Sequence, residues 1–222
     1  MRNYAEELAY WYFRFNGFFL LNNYVSHPDD RDVIRDAKGK VIRSHSDSDL
    51  LAIRIGQPME EVGINFSSDK VGIRQCDELN NLIKHVCVKE KNPTLSLIGI
   101  ICEVKAGART AFNDDNLKAQ LKRFGFVQNP DQARTEIKEK GHSFIEKDKL
   151  VIRILVSVNG TRQAGFKPIK IQTPLAYIAS RFEQLGDKKH GGWDKFDSTL
   201  MQFLLRHGNL FQIKKKKQTE KS

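Results

Sequence analysis

The chain has 222 residues, which is enough for one large or two small domains with a substantial hydrophobic core. Hydrophobic residues make up 40% of the chain and charged residues 29%, a composition too apolar for a disordered protein. Lys and Arg outnumber Asp and Glu by 37 to 27, and this net charge of +10 favours a polyanionic partner, either nucleic acid or an acidic membrane surface. Residues 214–222 alone hold five Lys and one Glu, so part of the excess belongs to the tail.

The cysteines and the hydropathy pattern bear on the compartment. The three cysteines, Cys76, Cys87 and Cys102, are an odd number without CxxC spacing, so we expect structural thiols in a reducing environment. No stretch approaches the ~20 apolar residues that a membrane span needs, and no signal-peptide cleavage pattern follows the first residues. We therefore expect a soluble cytoplasmic protein without a membrane partner.

The first part of the chain predicts a helix followed by several strands. Residues 4–16 are apolar on nearly every side, which indicates a buried helix that Gly17 ends. Residues 18–25 are typical of a strand, and residues 33–43 predict a basic hairpin around Gly39. Residues 50–55 predict a further apolar strand.

The middle of the chain alternates helices and strands. After an irregular segment over 57–68, apolar residues at helical spacing predict an amphipathic helix over 77–91. The continuous apolar run 95–104 is typical of a central strand covered on both faces. A helix over 113–124 and a core strand over 150–158 follow.

The remaining residues predict two helices and a tail. Thr173 and Pro174 form a helix start, a cap followed by proline in the first turn, for a helix that runs to about residue 185. Residues 197–207 predict the last helix. This order predicts an α/β protein with one mixed sheet flanked by helices. We expect a single domain over 1–212, with a core over about 4–158, a helical insertion over about 57–92, C-terminal helices over about 173–208, and a basic, disordered tail over 213–222.

The apolar run 95–104 is interrupted by charge at its carboxyl end. Glu103 and Lys105 are two residues apart, so on a strand they point to the same face. Taking either charge out of water is costly unless it is paired or binds a metal. One interpretation is a surface salt bridge where the strand exits, and the other is a functional site.

Further carboxylates could join Glu103. Asp49 opens the apolar strand over 50–55 and would lie beside Glu103 if the two strands pair. Asp47, two residues earlier and on the same face, is the substitute if that register is wrong. Glu6 lies in the apolar first helix, where a carboxylate needs a partner.

In these motifs the sequence resembles the PD-(D/E)xK, or restriction-endonuclease-like, nuclease superfamily. The first helix, with Glu6 followed by Ala9, an aromatic pair and Gly17, resembles that of Holliday-junction-resolvase-type members. Asp49 with the strand hydrophobics after it resembles their acidic motif, and 103–105 matches their ExK motif. The resemblance covers about residues 4–158 and implies a restriction-endonuclease-like core.

The resemblance also implies a site and a reaction. It implies a Mg²⁺-dependent deoxyribonuclease, with Mn²⁺ as a substitute, in which Asp49, Glu103 and the backbone carbonyl of Val104 are metal ligands. Lys105 would position the attacking water or stabilise the transition state, and Glu6 would complete the surroundings of the metal. Some family members carry a functional Gln on the helix after the ExK strand, which implies a role for Gln120; a polar residue at the edge of a core face is the other interpretation.

The expected partner is DNA, and a homodimer is a candidate assembly because nucleases that cut both strands often dimerise. Two alternatives stay open. One is a protein on a nuclease-like fold that binds nucleic acid without cutting it, and the other is a structural or partner-binding protein in which Glu103 and Lys105 form only a salt bridge.

Overall fold

The structure, a computed structural model, describes residues 4–25, 47–56, 77–89, 95–105 and 116–186. The predicted hairpin over 33–43, the irregular segment over 57–68, the helix over 197–207 and the basic tail lie outside these residues. The elements in chain order are α1 (Tyr4–Phe15), β1 (Phe19–Val25), β2 (Asp47–Ile55), α2 (Asp77–Lys89), β3 (Leu97–Lys105), α3 (Leu117–Arg123), α4 (Pro130–Lys140), β4 (His142–Glu146), β5 (Lys149–Ser157), β6 (Lys167–Lys170) and α5 (Gln172–Gly186).

The six strands form one mixed sheet, so the predicted α/β class is confirmed. Its order is β1-β2-β3-β5-β4, and β6 also pairs with β5. β1 and β2 pair in antiparallel orientation, as do β2 and β3, whereas β5 runs parallel to β3. β4 pairs with the first half of β5 and β6 with its second half, so these two short strands share one edge of β5.

Alternating strand residues build a core on each side of the sheet. On the side that we call the α1 face, strand residues such as Leu50, Ile100 and Ile154 pack with residues of α1, α2 and α5. On the opposite side, the α3 face, Leu51, Ile101 and Val151 form a smaller cluster that includes residues of α3 and α4. β3 sits between both clusters because its side chains alternate between the two faces, as the apolar run over 95–104 predicted.

The predicted helical insertion contributes to the core. Leu79, Ile83 and Val86 of α2 are buried in the cluster of the α1 face. The Thr173 hydroxyl at the start of α5 donates a hydrogen bond of 2.5 Å to Glu78 of α2. The helix over 77–89 is thus held both by apolar burial and by a polar link to α5. No helix in the described ranges combines the length and the apolarity that crossing a membrane requires.

Three elements between residues 130 and 170 were not predicted from the sequence. The prediction missed α4 although it carries clear helix signals: the Asn129 side chain accepts a hydrogen bond from the Gln132 amide, Pro130 occupies the first turn, and Gly141 ends the helix at a φ of 74°. β4 and β6 are only five and four residues long. Strands this short have little room for a period of two, and pairing with β5 defines them.

Candidate active site at the carboxyl end of β3

The pairing of β2 with β3 brings the predicted acidic residues together. Leu50 pairs with Cys102 in antiparallel register, so Asp49 and Glu103, which flank that pair, are neighbours across the two strands. Asp49 and Glu103 each stand two residues from a strand residue of the α3-face cluster, Leu51 and Ile101. Both side chains therefore belong to the α3 face, as does Lys105 two residues beyond Glu103.

Lys105 lies between the two carboxylates. Its Nζ is 3.6 Å from Glu103 Oε2 and 3.9 Å from Asp49 Oδ2. The backbone N–H of Val104 donates a hydrogen bond of 2.6 Å to Asp49 Oδ2. The exposed fraction of these side chains is 30% for Lys105, 18% for Asp49 and 12% for Glu103, so water reaches the site mainly at the lysine. The structure thus assembles Asp49, Glu103, Val104 and Lys105 into one cluster.

The charges of this cluster are not balanced. Burial, followed by the negative charge of Asp49, raises the pKa of the Glu103 carboxyl to about 7, although Lys105 and then Arg153 act in the opposite direction. Within the cluster itself, two carboxylates share one ammonium, that of Lys105, in a poorly hydrated place. Such a site gains from an added cation, because a cation would favour the ionised form of both groups.

The buried thiol next to the site has a different character. Cys102 is fully buried on the α1 face, between two residues of the α3 face. Burial, followed by the charges of Asp49 and Glu103, raises the pKa of this thiol well above its usual value. A thiol held neutral in this way is a packing group and not a nucleophile.

The other two candidate residues, Gln120 and Glu6, are less directly tied to the cluster. Gln120 lies on α3 and is 2% exposed, next to the cluster residues Leu117 and Leu121 of the α3 face. Glu6 lies half-buried on α1, a helix that packs on the other face of the sheet. The roles assigned to Gln120 and Glu6 stay predictions.

Two further acidic residues differ in their surroundings. Asp131 Oδ2 lies 2.8 Å from Lys118 Nζ, which links α4 to α3. Asp47, the substitute for Asp49, begins β2 and pairs with Val25. Since Asp49 is the residue that bonds to Val104, the geometry favours Asp49 for the site.

Arg153 is a charged neighbour that the sequence interpretation missed. It is 2% exposed in the middle of β5 and pairs with Ile101 of β3. The sequence did carry the signal, because a single arginine interrupts the apolar run 150–158 in the way that Glu103 interrupts 95–104. A single charged residue in an apolar run thus marks the site in both strands, Glu103 in β3 and Arg153 in β5.

The donor set fits a hard divalent cation with few protein ligands. No group of three or more His, Cys, Asp and Glu side chains suited to a metal ion occurs within the described ranges. Two carboxylates are present, with the backbone of Val104 between Glu103 and Lys105. Mg²⁺ is commonly held by one or two carboxylates and several waters, whereas a structural zinc site requires four protein ligands, usually Cys and His.

Comparison with known proteins adds no relative to this picture. No family model matches the chain, and no curated protein or solved structure matches it either.

Proposed function

We propose that this protein is a Mg²⁺-dependent deoxyribonuclease of the PD-(D/E)xK type. The observation that carries the proposal is the cluster on β2 and β3, in which the Lys105 ammonium lies within 4 Å of both the Glu103 and Asp49 carboxylates. A surface salt bridge needs only one carboxylate and one ammonium. Partial burial of a second carboxylate costs free energy, and a bound cation would offset that cost.

The sheet topology supports the same assignment. The sequence resemblance implies a core in which a helix is followed by three strands, a helix and a further strand. The order of α1, β1, β2, β3, α3 and β5 is compatible with that core, with α2, α4 and β4 as additional elements. The candidate residues lie on neighbouring central strands, which hold them more firmly than loops would.

Each residue has a chemical task in phosphodiester hydrolysis. Asp49 and Glu103 would hold the cation through carboxylate oxygens, and the Val104 carbonyl is the third ligand that the family resemblance implies. A bound Mg²⁺ offsets negative charge on the phosphate and lowers the pKa of coordinated water. Lys105 is the most exposed member of the cluster, so its three N–H donors can reach the attacking water or a phosphate oxygen.

The proposed substrate is DNA. The net charge of +10 favours a polyanion and gives an affinity that falls as the salt concentration rises. Within this basic chain the candidate site is an acidic pair, which suits a cation that is itself attracted to phosphate. A basic surface around an acidic metal site is the charge arrangement that a DNA nuclease requires.

The proposal is tested by cleavage of linear, branched and single-stranded DNA with Mg²⁺ or Mn²⁺. Removing a group that stabilises the transition state lowers the rate by roughly 10²–10³-fold, so we expect at least that loss in Glu103→Ala and Lys105→Ala. The matched control is the Glu146–Lys149 ion pair, 2.9 Å long and located where β5 begins. Glu146→Ala and Lys149→Ala should cleave at the wild-type rate.

Two outcomes would contradict the proposal. Cleavage that persists at the wild-type rate in Glu103→Ala and Lys105→Ala would remove the cluster from the reaction. DNA binding that is indifferent to EDTA, together with no cleavage by the wild-type protein, would support the non-catalytic alternative instead.

A further inference from the structure

Arg153 is one of the largest fully buried side chains of the protein, and it is charged. Its partner on the neighbouring strand β3 is Ile101, while Glu103 pairs with Leu155. Arg153 and Glu103 are therefore diagonal neighbours on adjacent strands and point to the same face. With a strand spacing of about 4.8 Å and a rise of about 3.3 Å per residue, diagonal neighbours lie about 8 Å apart, a distance that an arginine side chain can span.

An aromatic ring packs against the guanidinium of Arg153. The Arg153 guanidinium carbon lies 4.0 Å from the centre of the Phe166 ring. Phe166 is itself buried, and it directly precedes Lys167, which pairs with the residue after Arg153. The arginine is thus enclosed between β3 and the segment that enters β6.

The backbone around Phe166 leaves little room for movement. A Cβ atom added at Gly141 would lie 3.1 Å from the Phe166 carbonyl carbon, and one added at Gly165 would lie 3.0 Å from the Lys138 carbonyl oxygen. Both glycines have φ values of 74°, so the end of α4 and the segment before β6 approach each other through backbone. The backbone that carries the Phe166 ring is therefore tightly packed against the end of α4.

Several groups face Glu103 from the elements around it. Along β3 these are Ile101 and Lys105, across β2 Asp49, and on β5 Leu155 with Arg153 and Ser157 on the diagonals. The charged members are one carboxylate and two cations. Of the two cations, Lys105 is 30% exposed and available to a substrate, whereas Arg153 is 2% exposed and cannot meet one.

We propose that Arg153 is a positioning residue of the site: held by Phe166, it orients the Glu103 carboxylate, which leaves Lys105 available to the substrate. This inference rests on the proposed nuclease function and deepens it. An arginine that acts on Glu103 alone should affect the chemical step and not the binding of DNA.

The chain offers a matched control in Arg54. The guanidinium carbon of this arginine lies 4.8 Å from the centre of the Phe18 ring, and the residue is 3% exposed. Arg54 follows Leu50 and Ala52 at a spacing of two residues, so it shares the α1 face with them. Its Nη1 donates a hydrogen bond of 3.4 Å to the Asn16 carbonyl near the end of α1. Arg54→Met therefore removes a buried, ring-stacked charge without touching the site.

The first measurement is a double-mutant cycle of unfolding by urea, which needs no nuclease activity. It compares Arg153→Met in the wild-type background and in Glu103→Gln. We expect Arg153→Met to lower the folding equilibrium constant roughly tenfold more when Glu103 is present, because the carboxylate then loses one of its two cationic neighbours. Arg54→Met should have the same effect in both backgrounds. Equal effects of Arg153→Met in both backgrounds would overturn the link between Arg153 and Glu103.

The second measurement is steady-state cleavage under conditions where each variant is folded. We expect Arg153→Met to lower kcat roughly tenfold or more with an unchanged KM for DNA, Arg153→Lys to recover part of the loss, and Arg54→Met to leave both constants unchanged. Phe166→Leu, which keeps the arginine but removes its ring support, should lower kcat in the same way and serves if Arg153→Met does not fold. A raised KM, or a normal kcat in Arg153→Met and Phe166→Leu, would overturn the proposal. If the wild-type protein itself does not cleave DNA, the nuclease function fails, and the unfolding cycle alone decides whether Arg153 supports Glu103.

Discussion

The two faces of the sheet use the same strands for different purposes. On the α1 face, Ile100, Cys102 and Val104 of β3 are buried with residues of three helices, α1, α2 and α5. On the α3 face, Ile101 belongs to the apolar core, whereas the alternate residues that follow it, Glu103 and Lys105, are charged. Because the side-chain period of a strand is two, one strand can complete a large core on one side and present a polar cluster on the other.

The two faces also treat a buried arginine differently. Arg54 on the α1 face donates to the Asn16 carbonyl and packs on Phe18, and burial lowers its pKa to about 10, so it remains charged at neutral pH. Arg153 on the α3 face lies diagonal to Glu103. A buried arginine in an apolar strand can therefore have different roles: Arg54 hydrogen-bonds to a carbonyl near the end of α1, whereas Arg153 lies next to a carboxylate pair.

The described helices on the two faces differ in length as well. α3 and α4 of the α3 face have seven and eleven residues, whereas α1, α2 and α5 of the α1 face have twelve, thirteen and fifteen. On the α3 face of β1, Phe19 is 73% exposed and Leu21 is 53% exposed. Among the described residues, the α3 face thus has the shorter helices and exposed apolar side chains at its β1 edge.

The largest expected effect comes from neighbouring isoleucines of β3 that point to opposite faces. Ile100 and Ile101 are both 0% exposed, so Ile100→Ala and Ile101→Ala should each lower the free energy of unfolding by about 2–5 kcal/mol. Ile101→Ala should also lower kcat, because Ile101 adjoins Glu103 and pairs with Arg153, whereas Ile100→Ala should not. Urea denaturation and cleavage at a temperature where both variants are folded check this. Equal losses of kcat in the two variants would remove the functional difference between the faces.

The next effect is a pH-dependent gain of stability in Glu103→Gln without metal. The pKa of Glu103 in the folded protein is about 7, above its ordinary value of 4.5, so the folded state binds more protons between these pH values. The wild-type protein therefore loses up to about 3 kcal/mol of stability as the pH rises from about 4.5 to above 7. A glutamine does not ionise, so Glu103→Gln should be the more stable protein above pH 7, with no such gain below pH 4.5.

Thermal unfolding of both proteins across this pH range is the measurement. Glu146→Gln is the control, because Glu146 is 41% exposed and paired with Lys149, and its substitution should change stability by less than about 1 kcal/mol at any of these pH values. A stability difference between wild type and Glu103→Gln that does not depend on pH would contradict the charge imbalance at the site.

A smaller effect separates the structural role of Asp49 from its charge. Asp49→Ala removes the acceptor of the Val104 N–H and should cost about 1–2 kcal/mol, whereas Asp49→Asn keeps an acceptor and should cost less. Stability is compared at pH 5, where Glu103 is largely protonated and the repulsion between the carboxylates is weak. Both variants should lose cleavage, since neither offers a carboxylate. If Asp49→Asn cleaves DNA at the wild-type rate, Asp49 is not a metal ligand.

Much of the fold could be predicted because its central elements carry long, uniform signals. The apolar run over 95–104 and the apolar helix over 4–16 correspond to β3 and α1. β4 and β6 could not be found in this way, because what defines them is their pairing with opposite halves of β5. α4 was missed although Asn129, Pro130 and Gly141 are the signals that begin and end it, so the sequence was sufficient to predict this helix.

For the site, the sequence placed Glu103 and Lys105 on one face from spacing alone. The proximity of Asp49 depends on the register between β2 and β3, which no local pattern determines. The position of Arg153 depends on the parallel pairing of β3 with β5 across an intervening 43-residue connection, from 106 to 148. Contacts of this kind are decided by tertiary packing, and the sequence contributes only the observation that a charge lies in a core strand.

Whether Asp49 and Glu103 hold a cation is tested by a structure from crystals grown with Mn²⁺, with the metal located by its anomalous scattering. We expect one Mn²⁺ within ligand distance of carboxylate oxygens of both Asp49 and Glu103, and its loss in Glu103→Gln crystals grown in the same way. A saturating Mn²⁺ concentration that leaves this place empty, or a metal bound elsewhere while the Asp49–Lys105–Glu103 contacts stay intact, would contradict it.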